Sequence, residues 1–256
     1  MDCITDRGDV FIGYAATLKW RSFTLNYTSV LQRVSDGQPE TRTSLLKFSA
    51  PKASKRFIEW SSEPLSIKGT WNARSEPIQQ TLYKTESGTI EWNCVQPASN
   101  ARVVSRGFEF DGAGYVEHIS ISIPPWQLPI NELRWGRHIA DGSSLIWIDW
   151  KGPHPLCLVF HKGLAVEGAR VTDNEVAFHG GRMMIVPQTS QVLREGPLIS
   201  TALSMIPGIG SFVPLRMLST YESKWCSEGV LETAATNAAR ACVIHETVRW
   251  GSQEQQ

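Results

Sequence analysis

Apolar and polar side chains alternate with period two along most of this chain, the signature of β-strands with one buried face. Phe23, Leu25 and Tyr27 alternate with Thr24, Asn26 and Thr28, just after Leu18 and Trp20 alternate with Lys19 and Arg21. Ile90, Trp92 and Cys94 alternate with Glu91, Asn93 and Val95, and Leu156, Leu158 and Phe160 with Cys157, Val159 and His161. Val176 and Phe178 precede a His179-Gly180-Gly181 turn, Met183 to Val186 form the next strand, and Val243 to Trp250 close the series. Turn residues such as Ser35-Asp36-Gly37, Glu86-Ser87-Gly88, Asp141-Gly142 and Lys162-Gly163 separate the runs. The pattern predicts an all-β fold of antiparallel strands, a sandwich or a barrel. Two short helices are expected: the Ala-rich run 232–241 and a segment at about 197–206. The apolar stretch 198–218 is broken by Pro207, Gly208, Gly210 and Pro214. A helix followed by an irregular loop fits it better than a membrane span, either as a plug over a barrel or as a lid.

A chain of 256 residues holds one large β unit or two of ordinary size. Gly13-Tyr14 and Gly114-Tyr115 both open alternating runs, and Glu91-Trp92-Asn93 echoes Ile148-Asp149-Trp150. The echo favours two similar β domains, 1–105 and 106–256. Residues 36–56 read as an exposed loop with edge strands, and 251–256 as a frayed tail. Lysine and arginine balance aspartate and glutamate at 25 each, which removes the electrostatic case for a nucleic-acid footprint. The first ten residues lack the basic and apolar regions of a signal peptide. With five scattered cysteines and no C-x-x-C pair, this predicts a cytoplasmic protein with reduced thiols. No phosphate-binding glycine loop, nucleophile elbow or zinc-protease signature occurs. No cofactor, no metal and no stable membrane insertion are expected.

Candidate chemistry concentrates in residues 112–152, which hold four of the ten tryptophans. On the strand Leu145 to Trp150, Trp147 and Asp149 share a face with Leu145, while Ile146, Ile148 and Trp150 share the other. Both faces are apolar, so the strand is buried on both sides and Asp149 is desolvated. Desolvation raises a carboxyl pKa and suits it to proton donation; the plainer alternative is a turn contact or an arginine partner. On the strand from Gly114 to Ile123, Tyr115 and Glu117 share one parity with Ile119, Ile121 and Ile123, and His118 and Ser120 share the other with Val116 and Ser122. Depending on which face is interior, Glu117 or His118 joins Asp149 as a candidate catalytic group. Trp92, Tyr115, Trp126, Trp135 and Trp147 are candidate substrate-lining aromatics, able to stabilise a cation by about 0.5–2 kcal/mol per contact. Arg137 either pairs with a carboxylate or orients a polar ligand group.

These residues carry a family resemblance. Gly114-Tyr115, Glu117-His118, Pro125-Trp126-x-Leu128-Pro129, Leu133-x-Trp135-Gly136-Arg137 and Trp147-Ile148-Asp149 resemble the hydroxyneurosporene synthase (carotenoid hydratase) and AttH-like family. Ile244-His245-Glu246-x-Val248 is similar to that family's last strand. The resemblance covers about residues 105–250. It implies two consecutive lipocalin-like β-barrels or sandwiches, and its relatives include fungal decalin-forming Diels–Alderases, which use no cofactor. In the hydratases a His-x-Trp and a Tyr-x-Asp stand on neighbouring strands; here the counterparts are His118-Ile119-Ser120 and Trp147-Ile148-Asp149. Ser120 in place of Trp and Trp147 in place of Tyr depart from the hydratase pattern.

The expected function is therefore that of a cofactor-independent enzyme of secondary metabolism. Its substrate would be an apolar polyene, isoprenoid or polyketide-like molecule, and its reaction a cyclisation of the Diels–Alderase kind or a hydration or isomerisation by proton donation to a C=C bond. The alternative is a non-catalytic carrier of an apolar small molecule.

Overall fold

The computed structural model describes residues 1–251 apart from 21–22, 35–36, 55, 202–214 and 235. The period-two pattern becomes two antiparallel sheets. The first contains β1 (Asp2–Thr5), β2 (Val10–Trp20), β3 (Phe23–Arg33), β4 (Glu40–Ser44), β5 (Lys52–Ala53), β6 (Phe57–Ser62), β7 (Ile67–Ala73), β8 (Ile78–Thr85), β9 (Gly88–Ser105) and β10 (Phe108–Ile121). Its order is β4-β3-β2-β1-β10-β9-β7-β6-β5, with β8 paired to β9. The second contains β11 (Glu132–Ala140), β12 (Ser143–Lys151), β13 (Leu156–His161), β14 (Leu164–Ala165), β15 (Arg170–Val171), β16 (Glu175–Phe178), β17 (Gly181–Pro197), β18 (Tyr221–Thr233) and β19 (Thr236–Arg249). Its order is β14-β13-β12-β11-β19-β18-β17-β16-β15.

The two orders share one plan. In each, the first strand pairs with the last, and the two edge strands are neighbours in sequence. That plan forces both sheets to roll. A flat sheet of nine strands would hold its edges about 38 Å apart, at ~4.8 Å per strand. Yet only residues 166–169 join edge strands β14 and β15, a chain that reaches about 17 Å fully extended. The core confirms the curl: Leu145 and Trp147 on β12, Val159 on β13, Val171 on β15, Val176 and Phe178 on β16, and Val243 on β19 fall in one buried cluster. In the first sheet, Val30 on β3, Phe11 on β2, Trp60 on β6 and Trp71 on β7 likewise share one cluster.

The chain divides into two compact units, 1–78 with 94–118, and 79–93 with 119–251 and beyond. β9 and β10 each contribute to both units, and the Arg106-Gly107 turn between them lies in the first.

Helix is confined to a 3₁₀ turn (Pro125–Gln127), α1 (Leu198–Thr201) and α2 (Leu215–Leu218) among the described residues. α1 begins where the 197–206 helix was expected; most of the segment considered as plug or lid, 202–214, lies outside the described residues. The expected helix at 232–241 is not formed. That run is the turn and outgoing strand of the β18–β19 hairpin, with Leu231 opposite Ala239 and Gly229 opposite Ala241. Alanine's helix preference amounts to a few tenths of a kcal/mol per residue, and sheet pairing with burial of Ala239 against the core overrides it. Residues 36–56 carry short strands β4 and β5, as read from the sequence. No described helix is long and apolar enough to cross a membrane.

Candidate functional site on the inner face of the second sheet

Register fixes which side chains meet, because directly paired residues project to the same face. Three cross-strand rows run over β13, β12, β11, β19 and β18. The first is Cys157, Asp149, Arg134, Thr247 and Ser223. The second is Val159, Trp147, Gly136, His245 and Trp225. The third is His161, Leu145, His138, Val243 and Ser227. Trp147, Val159, Leu145 and Val243 belong to the core of the rolled sheet, so all three rows line its inner face.

The inner face grades from apolar to polar. In the second row, a Cβ at Gly136 would lie 2.1 Å from the Trp147 indole. Glycine is therefore required there: the ring of β12 lies over the β11 backbone, towards β19. Beyond it, the His245 ring stacks on Trp225 with centroids 5.1 Å apart and planes at 25°. In the first row, Arg134 stands 3.8 Å from the Asp149 carboxylate, reaches Asp173 at 2.9 Å and pairs with Glu132. The Asp149 side chain is only 12% exposed, and its Oδ2 has no hydrogen-bond partner among the described residues. Burial pushes this carboxyl above the ordinary carboxylate range, against the opposing pull of Cys157, Lys151 and Arg134. Its cross-strand neighbours are Cys157 and Arg134, and Trp147 shares its face two residues away.

Two histidines share this face, His138 fully buried and His245 half-buried. Burial lowers His138 to a pKa of about 4, offset in part by the carbonyls of Gly229 and Ala239. Burial also lowers His245 to about 4, against Asp173 and Glu246, which raise it. Both are neutral imidazoles at neutral pH.

The opposite face of the same strands holds Trp135 and Trp150. Trp135 meets Trp92 edge-on at 6.0 Å, and Trp92 lies 5.6 Å from Phe160. Arg137 is buried on this face; desolvation lowers its pKa to about 10 while Glu246 raises it. Glu246 meets Lys224, and Glu222 binds Arg194 at 2.6 Å. Burial opposes the charge on Glu246, but Lys224, Arg194 and Arg137 outweigh it and hold the carboxyl below its ordinary range. Trp126 sits in the 3₁₀ turn, and Arg216 donates to its carbonyl at 3.1 Å and, beyond the turn, to Leu128 O at 2.8 Å and Ile130 O at 2.7 Å.

Of the residues singled out in the sequence, the structure thus joins Asp149 and Trp147 on one face, and Trp135, Trp92 and Arg137 on the other. Tyr115 and Glu117 form a pair of their own in the first unit, where the buried Tyr115 hydroxyl donates to Glu117 at 2.6 Å. His118 closes that unit's share of β10 and is exposed, as is Ser120 in the second unit's share. Sequence reasoning gave no site role to Arg134, Trp225, Ser227 or His245, although His245 stands in the stretch similar to the family's last strand. The alternation Ile244-His245-Glu246 marked His245 as facing away from its apolar neighbour, but its partners come from distant strands. Among the described residues, no group of three His, Cys, Asp or Glu is placed to hold a metal ion.

No family model matches the chain, and no curated protein sequence does. Solved structures match in fold. CghA with Sch210972 superposes with a TM-score of 0.59 at 10% identity, over 97% of this chain and 86% of that one. A second structure of CghA gives 0.59 and 10% over 100% and 88%. An AttH-type protein from Nitrosomonas europaea gives 0.51 at 8% identity, over 96% and 89%. The chain shares with these structures a double lipocalin-like all-β fold. The resemblance read from residues 105–250 extends, at the level of fold, over nearly the whole chain.

Proposed function

We propose that this chain is a cofactor-independent enzyme that cyclises an apolar polyene or polyketide-like substrate on the inner face of its second sheet. One observation carries the reading: Asp149, a desolvated carboxyl, stands one row from Trp147 at the polar end of an inner face whose centre is apolar and aromatic. The aromatics hold a flexible chain folded on itself, a restriction that removes up to about 7–11 kcal/mol of barrier in favourable cases. Asp149 polarises one end of the reacting system by donating to a carbonyl or a C=C bond. Arg134 keeps the acid in place and carries the countercharge when the proton leaves. CghA, a fold relative at 10% identity, was solved with the small molecule Sch210972, which supports a small-molecule site in this architecture. His118, Glu117 and Ser120 have no part in this step.

The test is turnover of a linear polyene carrying a terminal carbonyl, followed by mass spectrometry. Cyclisation and isomerisation conserve mass and are separated by ring-proton NMR signals, whereas hydration adds one water. Asp149→Asn, which keeps the shape and loses the acid, is expected to cut turnover 100-fold or more with an unchanged melting temperature. Wild-type turnover in Asp149→Asn would overturn the assignment. Retention of the unchanged polyene by wild-type protein would make the chain a carrier.

A further inference from the structure

β17 runs out of register with β18 between Val186 and Gln191. Residues 187–190 form a bulge, and its shape is pinned by Thr189, whose hydroxyl donates to Val186 O at 2.7 Å and accepts from the Glu228 amide at 2.8 Å. Bulges re-aim side chains and recur beside active sites. This one brings the Ser190 hydroxyl to 2.8 Å from Ser227 Oγ. Ser227 in turn meets His245 Nε2 at 2.9 Å. Ser227 is buried at 2% exposure, whereas Ser190 is exposed. Three groups therefore form an unbroken hydrogen-bonded line from the inner face to solvent, between two tryptophans of the second row.

We infer that His245 is a second catalytic group of the inner face, the acceptor of a substrate proton, and that Ser227 and Ser190 are positioning residues that pass the proton to solvent. The inference rests on the inner face being the substrate face. It specifies the substrate further: a molecule with an acidic C–H or enolic O–H beside a carbonyl. The step balances as a proton relay. With the imidazole protonated on Nε2, the Nδ1 lone pair takes the substrate proton and the C–H or O–H electron pair stays on the substrate as an enolate. The Nε2 proton passes to Ser227 Oγ, the Ser227 hydroxyl proton to Ser190, and the Ser190 proton to water. No oxidant or reductant is needed. Asp149 and His245 lie two strands and two residues apart, about 12 Å by standard sheet spacings, a span that lets a single polyene-sized molecule touch both. The charged and titratable groups around His245 are Arg134, Asp149 and Asp173 towards one end of the face, His138 towards the other, and Glu246 and Lys224 behind it. The neutral state of its imidazole follows from burial outweighing Asp173 and Glu246.

The experiment uses 5-nitrobenzisoxazole, from which a base removes the ring C–H proton as the N–O bond breaks to give a coloured nitrophenolate. Wild-type protein is expected to accelerate this elimination, with a rate that falls as pH drops through a single apparent pKa. His245→Ala should lower it at least 10-fold. Ser227→Ala and Ser190→Ala should shift the apparent pKa as well as the rate; a merely structural role would lower the rate equally at every pH. Ser190 is exposed, so Ser190→Ala keeps the test informative if a buried variant fails to fold. Binding of 1-anilinonaphthalene-8-sulfonate, read by energy transfer from tryptophan and its loss in Trp147→Phe, separates the two readings. If the dye binds but the elimination is absent or independent of His245, the relay is overturned and the substrate face stands. If energy transfer is absent or unchanged in Trp147→Phe, the substrate face itself falls, and the relay with it.

Discussion

Asp149 and Trp147 show what a single residue's parity can and cannot disclose. Their shared face was legible from spacing alone, as was the burial of the strand on both sides, because a period of two leaves no other arrangement. The arginine partner, named as the plain alternative, is Arg134 at 3.8 Å, and it coexists with a carboxyl that burial still holds high. Nothing local marked Ser227 as the partner of His245; they meet only through the β18–β19 register, 18 residues apart in the chain. Gly136 gives the sharpest prediction at this scale. Gly136→Ala would drive a methyl into the Trp147 indole, 2.1 Å away. The expected cost is about 1–3 kcal/mol, measured by urea denaturation, together with altered tryptophan fluorescence as the ring is displaced.

Elements are held by contacts that the alternation pattern does not contain. The 3₁₀ turn at Pro125–Gln127 and the strand-entry residues after it hang on one guanidinium, Arg216 at the start of α2, which serves three carbonyls. An arginine fork suits this task and an ammonium does not. Arg216→Ala is expected to destabilise the protein by on the order of 2 kcal/mol, and Arg216→Lys to recover less than half of that; denaturation midpoints with unchanged m-values would show it. The strands were legible because pattern and structure share a period. The 232–241 hairpin was not, because an alanine run carries no period and its state is decided by what packs on it. The bulge in β17 was equally hidden, since its cause is a hydroxyl, Thr189, that bonds two backbone groups on different strands.

For the whole molecule, two desolvated histidines contribute to the response to acid. His138 and His245 titrate near 6.5 in the unfolded chain and at about 4 when folded. Between those values the unfolded state binds protons that the folded state refuses, so the histidines' contribution makes stability fall as pH drops from about 6.5 to about 4 and is constant below. Each group contributes at most about 3 kcal/mol. Chemical denaturation across that window should show the loss, and His138→Leu should flatten it by one proton's worth of slope. A pH-independent stability between 6.5 and 4 would contradict the burial of both rings.

The plan in which the first strand of each sheet pairs with its last also has a consequence in time. β12 to β14 can join β11 as a local meander, and β15 to β18 can grow as another, but the two are united only when β19 arrives beside β11. Closing that gap of on the order of 100 residues costs about 4 kcal/mol of chain entropy before any contact rewards it. β19 is the strand that carries His245 between Gly136 and Trp225. During synthesis, the inner face is therefore completed last in the second unit, when β19 takes its place beside β11.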